Sequence, residues 1–130
     1  ANKDRPAERA AFVTKCESYL RQGVGLVIVD VVTSRRANLH QELLKRLGQA
    51  PSTEKHPPLY TTAYRPYQQD EAIKLAIWHE ALTLGEPLPT MPLWLRREFC
   101  APLNLEATYA ETCQSLRIPM DRTEAANRKE

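Results

Sequence analysis

Two periods of apolar residues alternate along this chain, and each change of period marks an element. Phe12, Val13, Cys16, Tyr19 and Leu20 fall at helical spacing and gather on one face. Glu8, Lys15, Glu17, Arg21 and Gln22 form the opposite, wet face. Asp4 is placed to cap the start of this helix, Pro6 suits its first turn, and Gly23 suits its end. Val24 to Val32 then runs almost without polar alternation, broken only by Asp30. Such a β-branched run predicts an interior strand covered on both faces, as in a mixed or parallel sheet. A helix leading straight into a buried strand predicts an α/β architecture.

A second helix is predicted from Asn38, whose side chain can cap it, with Gln41 completing a capping box. Leu39, Leu43 and Leu47 make its stripe and Gly48 ends it. Residues 49–58 are polar and proline-bearing, a loop by composition. Leu59 to Tyr67 alternates as a strand, with Pro66 marking an edge position or a strand end. Ile73 to Leu82 fits two patterns. Ile73, Leu75 and Ile77 alternate as in a strand after the turn-like 68–71, yet Asp70 would serve as a helix cap and the composition favours a helix. Pro87, Pro89 and Pro92 force an extended strap that cannot pair normally in a sheet centre, with Leu88, Met91, Leu93 and Trp94 turned inward. Asn104 caps a last helix striped by Leu105, Tyr109, Cys113 and Leu116, and a polar tail, expected to be disordered, follows Pro119.

Composition narrows the classes. At 130 residues and 42% hydrophobic, the chain can bury one core without disulfides or metals. A net charge of +2 gives no electrostatic bias toward nucleic acid, membrane or acidic substrates. The apolar run is too short for a transmembrane helix, and no signal segment opens the chain, so a soluble, cytoplasmic location is expected. Cys16, Cys100 and Cys113 are too far apart for a paired zinc site, and the first and last fall on helical stripes as buried thiols. His40, His56 and His79 share no metal spacing and read as packed or solvent-facing residues. Gly23 and Gly25 stand between a helix and a strand, the reverse of the order a phosphate cradle uses. Arg35-Arg36 and Arg96-Arg97 are the phosphate-contact candidates, against the commoner reading as surface arginines.

Several of these segments together resemble one family. Ala1-Asn2-Lys3, Lys15, the strand Gly23 to Asp30, the strap Glu86 to Pro92 and the helix Leu103 to Tyr109 are similar to the bacterial family catalogued as domain of unknown function 4058. That family has a strand ending in Glu-Leu-Leu-Ser-Pro ahead of Ala-Asn-Lys, then a lysine-bearing helix and a strand of the type Leu-Val-Glu-Ile-Asp. The resemblance extends to about residue 118 and implies a strand for the segment before the strap. It also implies that residues 1–118 are the C-terminal portion of a larger α/β domain. The expected fold is thus a helix-flanked mixed sheet with a proline-rich strap, a C-terminal helix and a polar tail over 119–130.

Lys15, Tyr19 and Gly23, followed by a strand ending in Asp30, also resemble more distantly the PD-(D/E)XK nuclease-like proteins. In those enzymes two acidic residues on adjacent strands hold a divalent metal, and a lysine positions the attacking water. The resemblance places the acidic strands upstream of Ala1 and leaves Lys3 and Lys15 as supporting residues. Mg²⁺ or Mn²⁺ and a nucleic-acid substrate belong to that alternative only. The main expectation is a non-catalytic interaction or structural role. Asp30 is expected to pair with Arg35 or Arg36, or to sit at the strand's exposed end. The edge of the strand it closes is expected to be open.

Overall fold

The computed structural model describes residues 5–31, 38–49, 57–96 and 98–116. Helix α1 spans Pro6–Arg21 and begins at Arg5, with Pro6 in its first turn; Asp4, the expected cap, lies outside the described residues. Val13, Cys16 and Leu20 are its buried stripe, while Tyr19 stays partly in solvent. The helix stops where Gly23 takes a φ of +83°. There the Gly23 N–H donates to the Leu20 carbonyl and the Val24 N–H to that of Tyr19. This is the two-bond closure that a left-handed residue makes, and a side chain at that φ would be strained.

Strand β1, Leu26–Asp30, pairs antiparallel with β2, Tyr60–Gln69, which pairs antiparallel with β3, Ala72–Ala81. Helix α2, Leu39–Arg46, joins β1 to β2 and is capped by Asn38, whose Oδ1 accepts from the Gln41 N–H at 3.0 Å. The sheet order is β1-β2-β3. The α/β class is therefore as expected, but every described strand pairing is antiparallel rather than mixed. The apolar run misled because β1 is covered on both faces by different layers, a situation commoner in parallel sheets.

Those layers follow from strand alternation. Leu26 and Ile28 on β1 and Tyr64 on β2 point to one face, where they pack with Val13, Cys16 and Leu20 of α1 and Leu39 and Leu43 of α2. Val27 and Ala63 point to the other face, against Leu88, Met91, Leu103 and Leu105. The two helices are tied to each other by a 2.7 Å ion pair from Arg9 to Glu42 and by a hydrogen bond from Arg46 to Thr14.

The ambiguous segment is the strand β3. Gln69 opposes Ala72, leaving Asp70 and Glu71 as a two-residue turn with φ of 51° and 65°. Positive φ at both central residues suits the hand of a tight hairpin. Pro66 lies in the central strand and opposes Leu75, but β1 ends its pairing at Tyr64. At Pro66 the strand is consequently paired on the β3 side only, where a missing N–H is tolerated.

The strap is extended as expected and crosses the second face of the sheet, with Met91 buried and Leu88, Leu93 and Trp94 half-buried. It does more than strap. Thr90–Arg96 forms β4 and pairs antiparallel with β5, Phe99–Asn104, placing Pro92 opposite Pro102. In a two-stranded ribbon each strand has an unpaired side, so prolines fit where a sheet centre would reject them. Helix α3, Leu105–Ser115, follows directly, capped by Asn104 through the Ala107 N–H at 2.9 Å. Leu105 and Cys113 are buried; Tyr109 and Leu116, the rest of the expected stripe, are exposed. The tail falls outside the described residues.

The ribbon comes closest to the backbone just before β1, at Gly25. A Cβ on Gly25 would lie 2.3 Å from the Trp94 carbonyl oxygen, so only glycine allows this approach. Gly25→Ala is expected to cost about 1–3 kcal/mol, as overpacking does, read as a lower midpoint in urea denaturation. Lys45→Ala on the exposed side of α2 serves as control and should stay within about 0.5 kcal/mol of the parent. Equal stability of the two variants would show that the ribbon does not need this contact.

Candidate functional site

Of the residues singled out in the sequence, Lys15, Cys16 and Asp30 line one groove along β1, and a buried polar cluster lies beside it. The cluster forms because β2 presents Tyr60, Thr62 and Tyr64 at alternate positions toward the helices, in register with Asp30, Ile28 and Leu26 of β1. On the other side of β2 the register brings His79 of β3 opposite Thr62. The first turn of α2 drops His40 onto this row. Its Nδ1 shares a 2.5 Å hydrogen bond with the Tyr64 hydroxyl, and its backbone N–H donates to the Tyr60 hydroxyl oxygen at 3.1 Å. The Tyr60 O–H lies 3.3 Å from Asn38 Oδ1, the same oxygen that caps α2. The rings of His40 and His79 stack at 4.8 Å, and His79 Nδ1 is 2.6 Å from Thr62 Oγ1.

His40 is thus a packed histidine and His79 an exposed one near a strand end. Asp30 does not sit at an exposed end. It is buried opposite Tyr60, because α2 and β2 close over the end of β1. Arg35 and Arg36, its expected partners, lie outside the described residues, as do Lys3 and His56. Burial is the main reason the Tyr60 phenol is pushed far above its ordinary range; the His40 N–H pulls the other way, and the nearby Asp30 carboxylate adds to the rise. Tyr64 is raised further by burial and by its neighbour Tyr60. Both hydroxyls therefore stay protonated and act as neutral hydrogen-bonding groups. Tyr60, Thr62 and Tyr64 were not singled out in the sequence, although three hydroxyl side chains at alternate positions of one strand were a readable signal.

The groove lies on the outer side of β1. It has a volume of about 430 Å³ and is walled by Phe12, Lys15, Cys16 and Tyr19 of α1 and by the whole of β1. Lys15 is exposed, with its Nζ 5.9 Å from the centre of the Tyr19 ring. Cys16 is buried beneath it, and burial raises its thiol pKa, which makes it a poor nucleophile. Lys15 and Asp30 line the same groove from opposite walls. No protein-family model, no curated protein and no solved structure matches this chain. Among the described residues, no three His, Cys, Asp or Glu side chains gather as a metal cage requires. None of the described helices is long and apolar enough to cross a membrane.

Raised tyrosine pKa values tie stability to pH with a definite sign. The folded state holds these protons more tightly than the unfolded chain, so the contribution is complete below about pH 10 and is lost as pH rises above it. In an alkaline titration, part of the tyrosinate absorbance is expected to appear only together with loss of the far-ultraviolet circular dichroism. Tyr64→Phe should remove a share of that late step and lower stability by about 1–3 kcal/mol, the cost of leaving a buried partner unsatisfied. Complete ionisation of the tyrosines before any unfolding would contradict this picture.

Proposed function

We propose that the chain is a non-catalytic interaction unit whose β1 edge receives an extended strand of polypeptide. The observation that carries this reading is the contrast among its strand edges. Natural sheets blunt exposed edges with charges, prolines or short length. Strand β3 carries Lys74 and Glu80, and the ribbon carries Pro92 and Pro102 opposite each other. Strand β1 is short, at five residues, but carries neither charge nor proline between Leu26 and Val29, and its one carboxylate, Asp30, is buried. Among the described residues nothing pairs with its outer edge. Val29 and Val31 remain 40% and 55% exposed beside the groove.

Strand addition supplies both things this site lacks: backbone partners for the edge and apolar side chains for the groove. The occupant we assign is a strand with alternate apolar side chains, of the kind that the resembled domain of unknown function 4058 places ahead of its Ala-Asn-Lys. That resemblance supports a strand at this edge and leaves its source, in the same chain or another, to experiment. The resembled strand type also has a glutamate two positions before its aspartate, where this chain has the buried Ile28. A core isoleucine there favours a scaffolding role over acid chemistry.

A fluorescent peptide ending in Glu-Leu-Leu-Ser-Pro should bind in a saturable way and slow amide exchange over residues 26–31. Val29→Lys and Val31→Lys should each weaken it about tenfold, roughly 1.4 kcal/mol, while Ile73→Lys on the other edge strand should not. Binding without added protection of β1, or equal losses in all three variants, would overturn the proposal.

One observation favours the second reading, part of a divalent-metal-dependent nuclease: Lys15 and Asp30 share the groove. Lys15 would then support water positioning, with Lys3 in the supporting role the resemblance gives it, and the metal ligands would have to come from outside the described residues. The first reading expects no nicking of plasmid DNA by the chain with Mg²⁺ or Mn²⁺. Reproducible metal-dependent nicking that is lost in Lys15→Gln would replace it with the second.

A further inference from the structure

Strand β3 is the other margin of the three-stranded sheet. It pairs with β2 along its whole length, and among the described residues no strand lies on its outer side. All of its residues except Leu75 and Ala76 are exposed. Just beyond it the Leu82 N–H donates to the carbonyl of Leu59 at 3.0 Å, in the same register. Backbone groups of successive residues in an antiparallel strand turn to opposite sides. Lys74, Ala76, Trp78 and Glu80 therefore turn theirs inward to β2. Ile73, Leu75, Ile77, His79 and Ala81 turn theirs outward, where a further strand could meet them.

Two charges stand on this strand, Lys74 and Glu80, both exposed and neither in an ion pair with a described residue. Trp78 lies between them and opposes Ala63, so all three point to the face that carries the ribbon. An apolar strand laid along this edge would cover both charges without partners, and that cost guards the edge. An identical strand laid antiparallel is a different case. Outward-turned residues must oppose outward-turned residues, which leaves two registers that keep nearly the whole strand paired. In the register centred on Ala76, Lys74 would face Trp78 and Glu80 would face Ala72. In the register centred on Ile77, Lys74 of each copy faces Glu80 of the other, so both charges of both strands are matched.

The rest of that register is compatible. Ile77 meets its own counterpart on the axis, and Trp78 lies across from Ala76, a large side chain beside a small one. The Lys74–Glu80 pairs fall where the backbone bonds turn away from the partner strand. Opposing Cα atoms there approach to about 4.5 Å, and side chains interact most closely. On the helix side Ile73 and Ile77 are 59% and 38% exposed, and His79 is exposed beside them, so α2 does not overhang the edge. A second copy would cover these two isoleucines.

From this matching of charges we infer that β3 pairs with β3 of a second copy of the chain, antiparallel about Ile77, joining two sheets across a twofold axis. A contact of this kind uses the same surface on both copies and closes on itself, so it leaves no β3 edge to propagate. The same two charges reject an arbitrary strand and select this one. The contact uses no residue of β1, and it stands or falls separately from the strand-receiving edge.

Sedimentation equilibrium across the micromolar range should show a dimer. Glu80→Lys sets lysine opposite lysine at both ends of the axis, and Lys74→Glu sets glutamate opposite glutamate. Each should weaken the dimer at least about tenfold, because like charges directly opposite are destabilising. Lys74→Glu with Glu80→Lys in one chain restores the matching and should dimerise as the parent does. An equimolar mixture of the two single variants should likewise form a dimer of one copy of each. Both positions are exposed, so the variants should keep the parent's far-ultraviolet circular dichroism. Val29→Lys, on the opposite edge of the sheet, should leave the dimer unchanged. A monomer throughout the micromolar range, or a dimer that survives both single variants, would overturn the proposal. So would a double variant as weak as the single ones, or a dimer lost in Val29→Lys.

Discussion

A buried row of hydroxyls facing two stacked imidazoles holds this structure in register. The polar side chains of β2 point into the same space as the apolar stripes of two helices, and they are tolerable there only because each has a partner. Tyr64 meets His40, Tyr60 meets Asn38 and the His40 backbone, and Thr61 on the other face donates to the Ile28 carbonyl. Displacing α2 by one turn would leave several of these groups unpaired at once, at a cost of about 1–3 kcal/mol each. Apolar packing alone would permit sliding; the hydroxyl row does not. The position of α2 in turn fixes how deeply Asp30 is covered and where β1 stops.

Much of this was legible in the sequence, for identifiable reasons. Caps were readable because Asn38 and Asn104 act on backbone groups three residues away, so no distant part of the chain is involved. Helix α1 and its glycine stop were readable for the same reason, and the buried cysteines followed from helical spacing. Strand direction was not readable. Whether Val24 to Val32 belonged to a parallel or antiparallel sheet depends on what covers its second face, and that cover is a ribbon some sixty residues later. Strand β5 was missed because Pro102 and the short length of Phe99–Asn104 argue against a strand unless its partner is already known. The hydroxyl cluster was missed because its members come from separate elements, and only the register of β2 against its neighbours brings them together.

The two ends of this sheet are built differently. Near Asp30 the sheet packs against helix α2, and among the described residues no strand pairs with the outer edge of β1. Near Pro66 β1 has ended and β2 continues with β3 alone. A short first strand therefore creates both features: an open flank that invites backbone pairing, and a stretch where the central strand has one neighbour instead of two. Resemblance at the level of motifs pointed to the first of these and gave no hint of the second.

The hairpin turn at Asp70 and Glu71 has a kinetic consequence. Asp70 tolerates a positive φ better than most residues, but Glu71 does not, and a side chain of that kind there costs on the order of 1–2 kcal/mol. A turn that resists its own conformation is a poor nucleus. The ten residue pairs of β2 and β3 must hold the turn closed, instead of the turn bringing the strands together. Zippering from the loop, the fast local route for hairpins, is thereby disfavoured, and β3 is expected to join after β2 has found the helices. The last-formed strand would then be the outermost one, added to a template that α1, β1 and α2 have already shaped.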